Sequence, residues 1–376
     1  MKYHHAYMLA SFLGSIMSTC AVAQNDNPKN NNPFTVIAYY TGDSASISNY
    51  RINQLTHIIY SFGHLDGDTI TIDPKKGPGT LRALAALKRS FPQLKIQIAL
   101  GGWGGCRTCS EVFSTSKGRE NFALSVRRLC IRYGIDGIDV DWEYPAIEGY
   151  PGHPFKLEDR ENLTALLKEL RMQLGAQAEI SFAVGAFARF VNTSAEWRKI
   201  EPLIDRVNLM NYDFVSEGSK ITGHHSPLYS SAQTENSADH AINLLRSAGF
   251  PLNKIVIGCA FYSRSFEQVG DQDHGLYQPG KFFKFIPYRK LEELSRSDSS
   301  MHLYRDETTR SPFLYSRSNK IYYSFDDPIS VSEKTQYALD KRLNGVMFWE
   351  LTLDKQTGGL LDAISKVIIG SDARKK

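Results

Sequence analysis

DGIDVDWEYP, residues 136–145, decides the fold of this chain. Ile138, Val140 and Trp142 stand at alternate positions, the period of a β-strand, and Asp139, Asp141 and Glu143 fill the positions between and just beyond them. One face of the strand is therefore apolar and the other carries carboxyl groups about 6.6 Å apart. Acids are depleted in strands, and desolvation and mutual repulsion both oppose such a row. Three carboxyls so close cannot all ionise cheaply, so the set is expected to hold protons and titrate as a coupled unit. Glu143 comes last, where a barrel strand would reach its open end, and a raised pKa there makes it a general acid near neutral pH. Asp136 has the other parity, and a structural role at the strand's start is expected for it. Alternating apolar residues argue against a calcium loop, and the glycine and glutamate spacing of an EF-hand is absent. An acidic edge strand facing water and a magnesium site are the remaining alternatives at this level.

Working outward, short apolar runs recur at 34–41, 55–62, 94–103, 135–142, 178–187, 206–214, 254–262 and 345–351. Helical spacing lies between them, with Phe122, Ala123, Val126, Leu129 and Cys130 on one face of 119–133, and similar patterns at 158–174 and 237–248. Eight alternating β and α units predict an α/β fold, a (β/α)8 TIM barrel. A doubly wound open sheet is the structural alternative, but it wants a glycine-rich phosphate loop, and YYTGDSAS after the first run is a weak candidate. The long interval before the last run mixes helical and strand patterns, as in KFFKFIPYRKLEEL (281–294) and NKIYYSFDDP (319–328). Residues 265–340 are expected to form a small α+β insertion between strands seven and eight, with the barrel in 34–264 and 341–370. An insertion at that rim would wall the cleft.

The composition fits a domain with a sizeable core: 376 residues, 42% apolar and 22% charged. The net charge of +4 is too small and too evenly spread to suggest nucleic acid. Residues 1–23 read as a signal peptide, with Lys2, the apolar stretch AYMLASFLGSIM and the cleavage pattern Ala21-Val22-Ala23. The stretch is too short to span a bilayer comfortably, and no later one would span. Secretion to the periplasm or outside is thus expected, with QNDNPKNNNP (24–33) as a polar linker. Cys20 offers a lipid-anchor site, although Thr19 before it fits that pattern poorly. Cys106-x-x-Cys109 lacks a second ligand pair for zinc, and a short local disulfide is the expected reading in an exported protein. Cys130 and Cys259 read as small buried apolar residues.

DGIDVDWE resembles the DxxDxDxE signature of glycoside hydrolase family 18, the chitinases and their relatives. IIYSF (58–62), ALGGW (99–103), MNYDF (210–214), FYSRSF (261–266) and GVMFWELTLD (345–354) are similar to that family's strand-end motifs, in the same order. The likeness covers residues 34–370, and the insertion resembles the chitinase insertion domain. It implies hydrolysis of chitin or chitooligosaccharides by a monomer, with no metal or other cofactor. It also implies retention by substrate assistance, an exception to the two-carboxylate scheme. Glu143 would protonate the glycosidic oxygen while the substrate's N-acetyl carbonyl attacks the anomeric carbon. Asp141 would hold the acetamido N–H, Asp139 would share a proton with Asp141, and Tyr212 would donate to the acetamido oxygen. Tyr39, Phe62, Gly102, Trp103, Met210, Asp213, Tyr262, Arg264 and Trp349 match sugar-contacting positions, with Trp349 as the floor.

Two stretches depart from the family pattern. Where relatives often have GIPFYGRSF, this chain has GCAFYSRSF, with Cys259, Ala260 and Ser263, and the loop WGGCRTCSEVF also differs. Non-catalytic lectins on this barrel typically lose the acid at Glu143, which is present here. An endo-β-N-acetylglucosaminidase acting on N-glycans would use the same acids but usually lacks the insertion. Peptidoglycan hydrolysis commonly brings wall-binding repeats, and none is visible.

Overall fold

The computed structural model describes Met1 and residues 34–373, so the signal peptide, the linker and Cys20 lie outside the described residues. The strands are β1 (Thr35–Tyr40), β2 (His57–Asp66), β3 (Thr69–Thr71), β4 (Lys95–Gly101), β5 (Gly137–Asp141), β6 (Glu179–Gly185) and β7 (Arg206–Met210). They continue with β8 (Ile255–Ala260), β9 (Tyr262–Glu267), β10 (Lys281–Pro287), β11 (Met301–Asp306), β12 (Ser311–Ser316), β13 (Ile321–Phe325) and β14 (Gly345–Trp349). Parallel pairing runs β1-β14-β8-β7-β6-β5-β4-β2, and β1 also pairs with β2, which closes an eight-stranded barrel. This is the expected (β/α)8 TIM barrel, and each of the eight apolar runs marks one barrel strand, with β2 running on past its run to Asp66. β3 adds an antiparallel edge to the long β2.

The helix layer forms where the 3.6-residue pattern is present. Helix Ser116–Tyr133 buries Phe122, Ala123, Val126 and Leu129; Thr115 accepts the Gly118 N–H at its start, and Gly134 ends it at φ 68°. Helices Asp159–Leu174 and Ala238–Ser247 follow their predicted stretches. The first β–α unit departs from the expectation: short 3-10 turns at Ser46–Asn49 and Ile52–Gln54 join β1 to β2. The reason is local, since GDSASISNYRINQ carries no apolar i, i+3, i+4 stripe.

Between β8 and β14 lies an antiparallel sheet, ordered β10-β9-β13-β12-β11, with helix Tyr288–Ser297. Phe266, Val269, Phe313, Tyr315 and Tyr322 form its own apolar cluster. Its first strand begins at Tyr262, ahead of the boundary at 265 read from sequence. Helix Pro328–Asp340, read as part of the insertion, packs instead against β8, β14 and helix Leu360–Ala373, as a barrel helix does.

The acidic strand now has its explanation. Ile138, Val140 and Trp142 join the large core between strands and helices, and Trp142 meets Phe113 edge-on at 5.6 Å. Asp139 and Asp141 turn into the barrel, both buried. Asp136, at the foot of the strand, accepts both Lys88 Nζ at 2.8 Å and the Ile96 N–H at 2.8 Å. Its replacement by Ala is expected to cost about 1–3 kcal/mol of folding stability, because a half-buried ammonium and a strand N–H lose their acceptor. Urea unfolding of both proteins measures this.

Candidate active site

The site is built at the C-terminal mouth of the barrel, layer on layer. Deepest is Asp139, wholly buried, which receives the Tyr39 hydroxyl at 2.8 Å on Oδ2. The Ser181 hydroxyl at 2.6 Å and the Asn208 amide at 3.0 Å reach its Oδ1. Burial raises its pKa and these three donors pull it back. Among the described residues no hydrogen bond joins Asp139 to Asp141. Asn208 and Ser181 escaped the sequence reading. Their signal was available: polar residues at inward parity on strands whose outward positions are Ile180, Phe182 and Val184 on β6 and Val207 and Leu209 on β7.

Asp141 lies one step higher, opposite Gly101 on β4. Its Oδ1 is buried and has no hydrogen-bond partner among the described residues. Burial, then the charges of Glu143 and Asp139, push its pKa well above the usual carboxylate range. An orphaned buried acceptor is costly, and a ligand that brings a donor would relieve it. Glu143 stands past the strand end, half-buried. Burial is the main cause that lifts its pKa from the ordinary 4.5 to about 7; Asp213 adds to this and the Tyr144 hydroxyl opposes it.

The floor is aromatic. Trp349 ends β14, stacks on Phe62 at 5.4 Å and lies 5.7 Å from Tyr39. Met210 and Tyr212 pack into the same cluster, and the Tyr212 hydroxyl sits 3.9 Å from Met347 Sδ. Gly102 presents no side chain here; at φ 75° a Cβ would come within 2.4 Å of the Phe62 ring. Its N–H donates to the Asp141 carbonyl at 2.9 Å. The peptides Ser61–Phe62, Glu143–Tyr144 and Trp349–Glu350 are cis.

The insertion supplies one wall. Asp213, at φ 63°, accepts Arg264 Nε and Nη2 at 2.7 Å each and the Tyr262 hydroxyl at 2.8 Å. Burial would raise its pKa, but Arg264 and His225 hold it well below the ordinary range. Tyr39 and Tyr262, expected to touch sugar, are each only 2% exposed, and each spends its hydroxyl on a carboxylate. Trp103 stands apart on the rim, 59% exposed, edge-on to Tyr150 at 5.5 Å. Cys106 and Cys109, just after it, are joined by a disulfide. Ala260, one of the departures from the family pattern, donates its N–H to Asp326 at 2.9 Å, a bond that a proline could not make.

A closed barrel with three stacked carboxyl groups under an aromatic cleft has the frame of a glycoside hydrolase. Residues 35–354 match the glycosyl hydrolases family 18 model, and the chain belongs to that family. It is 34% identical over 306 residues to chitinase A1 of Niallia circulans, covering 74% of this chain and 43% of that protein. Mouse chitotriosidase-1 is 30% identical over 324 residues, with 81% of this chain and 68% of the relative covered. Among solved structures, a family 18 N-acetylglucosaminidase from Paenibacillus barengoltzii superposes with a TM-score of 0.81 at 32% identity. That match covers 89% of this chain and the whole of the other. Chitinase ChiA74 from Bacillus thuringiensis also gives 0.81, at 26% identity, covering 90% of this chain and 70% of that one. The match to the Niallia enzyme spans less than half of that protein's length.

Proposed function

We propose that the protein is a chitinase that hydrolyses β-1,4-linked N-acetylglucosamine polymers with retention of configuration. The observation that carries this is the unpartnered, buried Asp141 Oδ1 beside a Glu143 whose pKa is raised to about 7. An acetamido N–H is a donor of the right kind for Asp141, and holding it there aligns the acetamido oxygen with the anomeric carbon. Glu143, with its pKa raised to about 7, keeps a substantial protonated fraction at neutral pH and delivers that proton to the leaving oxygen. Asp139, held by its three donors, keeps a polarisable carboxyl beneath Asp141 as positive charge develops on the substrate. Tyr212 and Trp349 line the acetamido pocket and the floor. Export from the cell and action as a monomer are parts of the same proposal, resting on the N-terminal reading and on the family.

A second reading is removal of single N-acetylglucosamine units, favoured by the likeness to the Paenibacillus N-acetylglucosaminidase. Timed digestion of chitohexaose, with products identified by mass, separates the two. Early dimer, trimer and tetramer support the chitinase, and early monomer together with pentamer supports the second reading. A high-mannose glycoprotein in the same panel tests cleavage of N-glycans. No product from either substrate would leave a lectin.

The proton assignment has a pH signature. The general acid works only while protonated, so kcat/KM is expected to fall as pH rises through about 7, approaching tenfold per pH unit. Initial rates on a chitooligosaccharide from pH 5 to 9 check this, and a flat profile across that range would exclude Glu143 as the acid.

A further inference from the structure

Phe285 lies where the insertion faces the cleft. In the antiparallel pair of β9 and β10 it stands directly opposite Arg264. Residues directly opposite on such a pair project from the same face. Arg264 reaches Asp213 from that face, so the face fronts the catalytic cleft. Tyr262, two residues before Arg264, shares it, and the Phe285 ring stacks on Tyr262 at 4.9 Å and 28°. The Arg264 guanidinium lies 5.3 Å from the Tyr262 ring and 6.0 Å from that of Phe285, which steadies the stack.

Exposure then separates the two rings. Tyr262 is 2% exposed and Phe285 is 39% exposed, so Phe285 is the ring of the stack that meets solvent. β10 is an edge strand of its sheet, with a register shift between Phe282 and Lys284. Bulges of this kind re-aim side chains next to active sites. The neighbouring exposed ring, Phe283, already has the Lys284 ammonium 4.5 Å from its centroid. An uncovered phenyl ring on an edge strand is otherwise a liability for aggregation.

We propose that Phe285 is a sugar-stacking residue of the cleft, which holds a pyranose ring of the substrate chain beside Asp213. This rests on the chitinase reading and adds a specificity-determining contact to it. The apolar C–H face of an N-acetylglucosamine unit lies flat on a phenyl ring, and the burial of both surfaces favours the contact. The sequence hid this residue because KFFKF reads equally well as an ordinary strand core.

The test compares wild type, Phe285→Ala and Phe285→Trp on chitohexaose and on an aryl chitobioside, with a thermal melt of each protein. The Ala variant is expected to raise KM for the hexamer about tenfold, with a smaller rise on the chitobioside and a smaller change in kcat. The Trp variant, which restores a ring, is expected to bring the hexamer KM back towards wild type, with all three proteins melting alike. A hexamer KM within twofold of wild type in the Ala variant, or a loss that Trp does not repair, overturns the proposal. If those results come with normal wild-type turnover, only the Phe285 contact falls. If the wild type turns over neither substrate, the chitinase reading falls and takes this contact with it.

Discussion

Glu143→Gln is expected to lower turnover of chitooligosaccharides by about a thousandfold while leaving binding largely intact. The amide has the shape of the protonated acid and keeps its hydrogen bonds, but it has no proton to give. The substitution also removes the only member of the carboxyl row that stands past the strand end. Asp139 is enclosed by Tyr39, Ser181 and Asn208, and Asp141 sits below the mouth, so neither can take over. A stability effect of opposite sign accompanies the loss. The folded state raises the Glu143 pKa from 4.5 to about 7, so the wild type gains stability from this group below about 4.5 and loses it as pH rises through about 7. Gln does not ionise, so the variant is expected to melt higher than wild type at pH 8 and to differ less at pH 4. Wild-type turnover in the variant would refute the assignment. An unchanged difference in melting temperature between pH 4 and pH 8 would refute the raised pKa.

Much of this site was legible because the barrel imposes a strict period on its strands. Once Ile138, Val140 and Trp142 are outward, Asp139, Asp141 and Glu143 must be inward, and the carboxyl row follows from alternation alone. The strand-end motifs held Phe62, Met210, Tyr212 and Trp349, and these do converge in one cluster. What the sequence could not supply was cross-strand register. Nothing local tells that Ser181 on β6 stands opposite Asp139 on β5, or that Asn208 on β7, opposite Ala183 in register, still reaches that carboxylate, because each pairing spans a whole βα unit. The same holds for Tyr262, whose hydroxyl goes to Asp213 only because the β8–β9 turn brings an insertion strand across the mouth. Side-chain exposure was equally hidden: a strand-end tyrosine reads alike whether its ring is open to the cleft or covered by Phe285. The missing first helix was legible in principle, since GDSASISNYRINQ has no apolar stripe, but the βα rhythm of the other units overrode that local signal.

Chitohexaose is expected to be cleaved at least about a thousandfold faster than the fully deacetylated glucosamine hexamer under the same conditions. The reason lies in the nucleophile. A carboxylate that attacks the anomeric carbon must ionise and approach it, yet both buried aspartates have raised pKa values, and Asp139 is turned inward onto three donors. The acetamido oxygen of the substrate is held in the same molecule, and such an intramolecular group acts at a very high effective concentration. On the proposed mechanism its attack would invert the anomeric carbon once and water would invert it again, so the β-anomer is the expected first product. Deacetylation removes that oxygen and replaces the amide N–H with an ammonium. Asp141 Oδ1, the orphaned acceptor, would then meet a cation that binds without forming an oxazolinium ion. The glucosamine hexamer is therefore expected to act as a weak competitive inhibitor, and a thiazoline analogue of the intermediate as a strong one. Rates on the two hexamers, followed by product mass, decide the matter. Comparable rates would make Asp141 a direct nucleophile and remove substrate assistance from the mechanism.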